Sequence, residues 1–300
     1  MARSSGRSSL AVCLFLNLAC AMAATAAHAQ GDPPVGVRAA GMAGAFTAVA
    51  DDATAAVWNP AGLASGSFVS VAADGNRFDR QSALFAGFGT PPLALSYLRS
   101  ATAEVSKGRN VLVAHSFGAS LVQSLGDTGI AVGTTLKLVH GVTSADGVPS
   151  TAGNRFDADV GVMLSGPLGQ VGLTVRNVAE PSFALDDASG GEIRLDRKVR
   201  AGAAIHLSDR ALVAGDVEFT KAMTVSGVWR DAALGVETHP VEKVWLRGGV
   251  HWNTTGTGAA PIAAFGGSYA IRGALMVDAQ GSVGSSGGNR GWGLGLRFVF

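Results

Sequence analysis

Three things are scarce in this 300-residue chain. Cysteine occurs only as Cys13 and Cys20, so the rest of the chain has no disulfide, no Cys-based metal site and no Cys nucleophile. Charged residues are 15% of the total, against about 25% in soluble domains. The net charge is +1, which excludes a nucleic-acid binder that relies on bulk charge. Long apolar runs are also missing: after residue 29 no stretch reaches the roughly 18 residues of a spanning helix. The hydrophobic fraction, 47%, is ordinary, so the chain is neither disordered nor a helical membrane bundle. What is abundant is glycine, 42 of 300, about twice its usual share.

Residues 1–29 have the form of a cleaved signal peptide. Arg3 and Arg7 supply a positive start, Leu10 to Ala27 is apolar but for Asn17, and Ala27-His28-Ala29 is an A-x-A cleavage site. The mature chain is expected to begin at Gln30. Residues 30–64 are rich in Ala, Gly and Asp and end in Trp58-Asn59-Pro60-Ala61-Gly62-Leu63.

From about Phe68 onward, hydrophobicity alternates with period two, which is the strand signature. In 291–300, Trp292, Leu294, Leu296, Phe298 and Phe300 share one face, and Gly293, Gly295 and Arg297 the other. The polar faces carry Gly, Ala and occasional charges where a soluble sheet would carry Lys and Glu. Fourteen segments are predicted, near 66–75, 81–89, 92–101, 110–121, 128–140, 155–165, 169–178, 199–207, 211–220, 230–238, 243–252, 261–269, 272–281 and 291–300. Their connectors alternate between tight turns, such as Ala270-Ile271, and longer polar stretches, such as 102–109, 141–154 and 179–198. The connector 122–127 is long for a tight turn. An apolar outer belt, a polar interior and alternating loop lengths predict an outer-membrane β-barrel with both chain ends in the periplasm. The domain plan is a signal at 1–29, an N-terminal segment at 30–64 and an all-β transmembrane barrel at 65–300. The alternating last strand, with Phe298 and terminal Phe300, resembles the C-terminal signal read by the barrel-assembly machinery.

The run from Gly36-Val37-Arg38-Ala39-Ala40-Gly41-Met42-Ala43-Gly44-Ala45-Phe46-Thr47-Ala48-Val49-Ala50-Asp51-Asp52 to Trp58-Asn59-Pro60-Ala61-Gly62-Leu63 closely resembles the N-terminal signature of the FadL-like outer-membrane proteins. That superfamily includes long-chain fatty acid and aromatic hydrocarbon transporters and the PorV-type barrels of a secretion system. The resemblance implies a fourteen-stranded barrel whose N-terminal segment plugs the lumen as a hatch. This chain is shorter than the fatty acid transporters, which implies reduced outer loops.

Candidate sites follow from this plan. Trp58, Asn59, Pro60, Ala61, Asp51 and Asp52 are the candidate hatch and gating residues. Arg176, Arg200, Arg247, Arg297, Asp157, Asp159, Asp216 and Glu218 fall on the polar faces and are expected to line the lumen, since Arg or Lys facing lipid costs about 2–4 kcal/mol near the midplane. They form either an ion-pair network that holds barrel and hatch or a lining that selects cargo. Val111 to Ser120 carries His115-Ser116-Phe117-Gly118, which is close to a nucleophile elbow with Ser116 as nucleophile and His206, His239 or His251 as base. However, no helix is predicted after it, as an elbow requires. The mature histidines lack ligand spacing, so neither metal nor cofactor is expected. The expected partners are outer-membrane lipid, the assembly machinery and a small hydrophobic ligand. The leading function is passive, hatch-gated transport of small hydrophobic or amphipathic molecules. The alternative is a PorV-like docking barrel for a secretion, motility or surface-assembly machine.

Overall fold

Alternating strands leave unpaired edges, and in lipid only closure of the sheet satisfies them. The structure, a computed structural model, describes residues 28–29, 35–78, 81–105, 109–145, 148–185, 191–224, 227–255, 261–284 and 290–300. The expected signal peptide lies outside them apart from His28 and Ala29. The barrel strands are β1 (Ser70–Phe78), β2 (Gln81–Thr90), β3 (Leu93–Val105), β4 (Arg109–Ser124), β5 (Ile130–Ala145), β6 (Val148–Gly166), β7 (Gly169–Arg176), β8 (Lys198–Ser208), β9 (Ala211–Glu218), β10 (Asp231–Val241), β11 (Val244–Asn253), β12 (Ile262–Arg272), β13 (Leu275–Gly284) and β14 (Gly291–Val299). Each pairs antiparallel with its chain neighbours, and β14 closes on β1 from Gly291–Phe78 to Val299–Ser70. Beyond the ladder, the Phe300 amide donates to Val69 O (2.8 Å) and the Val69 amide to Phe300 O (2.9 Å).

The fold is therefore the closed fourteen-stranded barrel that the alternation predicts, with differences at the connectors. The polar stretches 102–109 and 141–154 are largely hairpin, since pairing continues to Val105–Arg109 and Ala145–Val148. Polarity resembles a loop in sequence, yet a strand rising above the hydrocarbon tolerates it. The connector near 122–127 is replaced by the longer β4 and a 3-10 turn at Gly126–Thr128. The tight turn expected at Ala270-Ile271 lies instead at Gly273–Ala274, where Gly273 adopts φ +47°, a left-handed conformation that favours glycine. The connector 179–198 contains a short hairpin, Ser182–Ala184 with Glu192–Arg194.

Large apolar side chains such as Phe117, Leu136, Phe265, Leu294 and Leu296 are exposed on the outside, while Asp159, Thr174, Asp216 and Asp278 are buried inside. This inverts the soluble pattern and suits lipid outside and a polar lumen. No described helix is long and apolar enough to cross a membrane.

Val35 to Gly66 packs inside the barrel. It forms two short helices, Val37–Gly41 and Ala55–Trp58, and a 3-10 helix, Pro60–Ser65. Its small residues bring backbone close to the wall, and Met42, Phe46 and Trp58 anchor a buried apolar cluster. At two wall positions glycine permits the approach. A Cβ on Gly161 would lie 2.0 Å from Asn59 Oδ1, and one on Gly133 2.3 Å from the Pro60 carbonyl carbon.

Candidate functional site

The lumen has two unlike regions. At the inner end, where both chain ends of the barrel lie, Arg38 of the N-terminal segment reaches the wall. Its Nη2 and Nε donate to Glu237 Oε1 (2.8 Å) and Oε2 (2.9 Å). Its Nη1 pairs with Asp51 and, at 3.3 Å, with Asp52 Oδ2. Arg247 meets Glu237 at 2.5 Å and Ser268 Oγ at 2.6 Å. Arg297 bridges Asp278 (3.1 Å) and Asp52 (3.4 Å). Three guanidiniums thus tie the segment to β10, β11, β13 and β14 around a cavity of about 150 Å³. Asp52 also accepts from the Thr54 amide at 2.9 Å. Burial alone would raise its pKa, but the Arg297 and Arg38 charges outweigh that and hold it below the ordinary carboxylate range. Asp51 is more exposed, at 43% of its side chain.

The other candidate residues join two further clusters. Arg200 pairs with Asp216 (3.1 Å) and Asp231 (2.8 Å), and Asp216 in turn accepts from the Phe46 and Thr47 amides and from Thr47 Oγ1. Glu218 faces Lys198 at 3.9 Å. Lys137 sits between Asp157 and Asp159, 2.7 Å from each, and the carboxylates accept from the Ala179 and Asn177 amides. Arg176 and Arg200 both lie over the Trp58 ring, 5.8 and 5.5 Å from its centroid. Trp58 Nε1 donates to Val35 O at 2.8 Å. Asn59 Oδ1 caps the 3-10 helix through the Ala61 amide, and Nδ2 donates to Thr47 O (3.0 Å) and Val162 O (3.3 Å). Asn59 and Pro60 therefore pack against β5 and β6, across the lumen from the first strand. The alternation of β10 and β13 already placed Glu237 and Asp278 inward, although they were not singled out. Nothing periodic marked Arg38.

The outer half is different. The stretch after β7 folds into the lumen, where Phe183 and Ile193 pack on Leu112, Ala114 and Val139. Between it and the N-terminal segment lies a cavity of about 60 Å³, lined by Val35 and Val57 below, Leu195 above, and Leu98, Ser100, Ser116 and the charged Lys137, Asp159 and Arg176 from the wall. Ser116 thus faces a chamber from the middle of the unbroken strand β4. The elbow its neighbours suggested does not form, because an elbow needs a sharp strand-to-helix turn and a strand continues here. Beside the chamber, β6 pairs with β7 only from Val160 to Gly166. Among the described residues the outer half of β6 has no strand partner on that side, and the Val178 amide bonds Ala158 O (3.0 Å). Among the described residues no group of three or more His, Cys, Asp or Glu could hold a metal ion.

No protein-family model and no curated protein matches the sequence. Solved structures share its fold. The CymD monoaromatic hydrocarbon channel is 14% identical, with a TM-score of 0.66 over 89% of this chain and 97% of that one. A Pseudomonas aeruginosa FadL homologue is 12% identical, with a TM-score of 0.61 over 90% and 99%. The Pseudomonas putida toluene transporter TodX is 11% identical, with a TM-score of 0.54 over 81% and 91%. The chain has the FadL-like barrel fold, and of these proteins that share it one is named as a channel and one as a transporter.

Proposed function

We propose that this FadL-like barrel is not an enzyme and moves small hydrophobic or amphipathic molecules passively across the outer membrane, with the N-terminal segment as a hatch. The observation that carries the reading is the chamber between that segment and the inward-folded outer stretch. Its walls combine the apolar Val35, Val57, Leu98 and Leu195 with hydroxyls and, on one side, with the Lys137–Asp159 pair and Arg176, so a small amphipathic ligand suits it as well as an apolar one. The names of the similar channels, for monoaromatic hydrocarbon and toluene, fit such a chamber. At about 60 Å³ it is smaller than the roughly 150 Å³ cavity that holds benzene, so passage requires the hatch or the outer stretch to move.

In this reading the Asn59-Pro60-Ala61 turn anchors the hatch against β5 and β6. Asp51 and Asp52 hold its inner end through Arg38, and the lumen charges hold it to the barrel rather than select cargo. Release runs sideways past the short β6–β7 pairing, which avoids the closed inner network. Phe298 and Phe300 serve assembly, and residues 1–29 serve export. Toluene uptake by cells lacking the protein, against cells carrying wild type or Ser116→Trp, tests the proposal. Uptake falls in the deletion, returns with wild type and stays low with the chamber filled. Equal uptake in all strains overturns it.

The inner charge network gives the docking-barrel reading its support, because a lumen closed there suits a fixed platform. That reading expects unchanged uptake and loss of a secretion, motility or surface-assembly phenotype in the same deletion.

A further inference from the structure

Among the described residues the lipid-facing wall carries a polar ridge on β3 to β6. Register sets Arg99 of β3 opposite His115 of β4, His115 opposite His140 of β5, and His140 opposite Asn154 of β6. The Tyr97 hydroxyl meets His115 Nδ1 at 2.9 Å, and His140 Nδ1 meets Asn154 Oδ1 at 2.7 Å. Arg99 makes no side-chain hydrogen bond or ion pair among the described residues. On the adjoining row towards the inner end, Phe117, Leu138 and Phe156 are exposed and paired in register. No described outward-facing position on β3 to β6 carries a carboxylate, since Asp157 and Asp159 are buried in the lumen.

Depth explains why such a ridge is tolerated. A crossing strand takes about 9–11 residues. Counted from the inner ends of β4, β5 and β6 at Ser124, Ile130 and Gly166, that length runs out at His115 and His140 and two residues before Asn154. Arg99 starts deeper, but its long side chain can extend outward to the same level. Cationic and hydrogen-bonding groups thus stand where the outer wall leaves hydrocarbon, directly above a surface shaped for acyl chains. A cation with no partner among the described residues calls for an anion there, and at that depth the anion is carried by lipid.

We infer that Arg99, His115 and His140 form a binding site for the phosphate-bearing headgroup of an outer-leaflet glycolipid, whose acyl chains lie along Phe117, Leu138 and Phe156. The purified full-length barrel in detergent, supplied with lipid A or with phosphatidylcholine, tests this by native mass spectrometry. Wild type retains lipid A and not phosphatidylcholine. In Arg99→Leu/His115→Leu retention of lipid A falls about tenfold, as loss of charge-assisted bonds requires, and in His140→Leu it falls about threefold. Leucine suits a lipid-facing wall, and heat-modifiable mobility verifies that each barrel is closed. Arg77→Ala, which removes an exposed cation from β1, leaves retention unchanged. Equal retention in every variant, equal retention of phosphatidylcholine, an equal fall with Arg77→Ala, or displacement of lipid A by equimolar inorganic phosphate would each overturn the site.

Discussion

The two regions of the lumen hold the segments inside them by different physics: the N-terminal segment at the inner end and the stretch after β7 in the outer half. At the inner end, Arg38 shares Glu237 with Arg247, and Asp52 is shared with Arg297. Removing one member of such a network strands buried charge, so it gives way together or not at all. In the outer half, the base of the stretch after β7 is tied to Asp157 and Asp159 through the Ala179 and Asn177 amides, while its tip rests through Phe183 and Ile193 on apolar wall residues beside a small cavity. Apolar contacts are non-directional, and a loop held by a few of them opens locally. The difference assigns rigidity to the end of the barrel where its first and last strands begin and finish, and movement to the opposite end.

Four experiments can break or sharpen this contrast. The largest effect is expected from Arg38→Ala, which removes the cation joining Asp51, Asp52 and Glu237 and leaves Asp52 with Arg297 alone and Glu237 with Arg247 alone. Docking of the segment should weaken by about 3–5 kcal/mol, seen as protease cleavage within residues 35–66 of a barrel that stays closed. Retained protection would show that the inner network is dispensable. Phe183→Ala should be next, at about 3 kcal/mol but confined to the outer stretch. That stretch should exchange amide hydrogens faster while residues 35–66 stay protected, and loosening of both would erase the distinction between the regions.

Gly133→Val tests the close approach of Pro60. The added carbons meet backbone, so overpacking by about 1–3 kcal/mol is expected, measured as a lower midpoint of heat-modifiable mobility. An unchanged midpoint would mean that the turn has room to move. The smallest effect is with pH. The depressed pKa of Asp52 contributes stability that is complete above the unfolded value of about 3.9 and is lost as pH falls through the lower folded value. Each unit of depression is worth about 1.4 kcal/mol. Wild type should therefore lose docking of the segment in acid more steeply than Asp52→Asn, followed by protease protection between pH 5 and 2. Parallel profiles would remove Asp52 from the lock.

Much of the barrel was legible because strand alternation is local. Trp292, Leu294 and Leu296 declare an outward face without reference to any other part of the chain, and Arg297 falls inward by the same parity. The polar upper ends of β3 to β6 were not legible, since a Ser- and Thr-rich strand and a loop have the same composition. Ser116 misled for a related reason: a small-residue run around His and Ser has the same letters in an elbow and in a straight strand, and only the element that follows distinguishes them. The wall partner of Arg38 was out of reach altogether, because Glu237 lies 199 positions away.

By itself the sequence determined the strand count, the inward and outward faces and the closed barrel, because period-two hydrophobicity under a lipid solvent leaves one way to satisfy every backbone edge. Only the tertiary structure decided which charges meet, that Asn59 and Pro60 seat on Gly161 and Gly133, that the stretch after β7 folds inward, and that Arg99, His115 and His140 align on one ridge. Those are matters of register and shear across strands far apart in the chain, and no periodicity within a single strand encodes the offset to its neighbour.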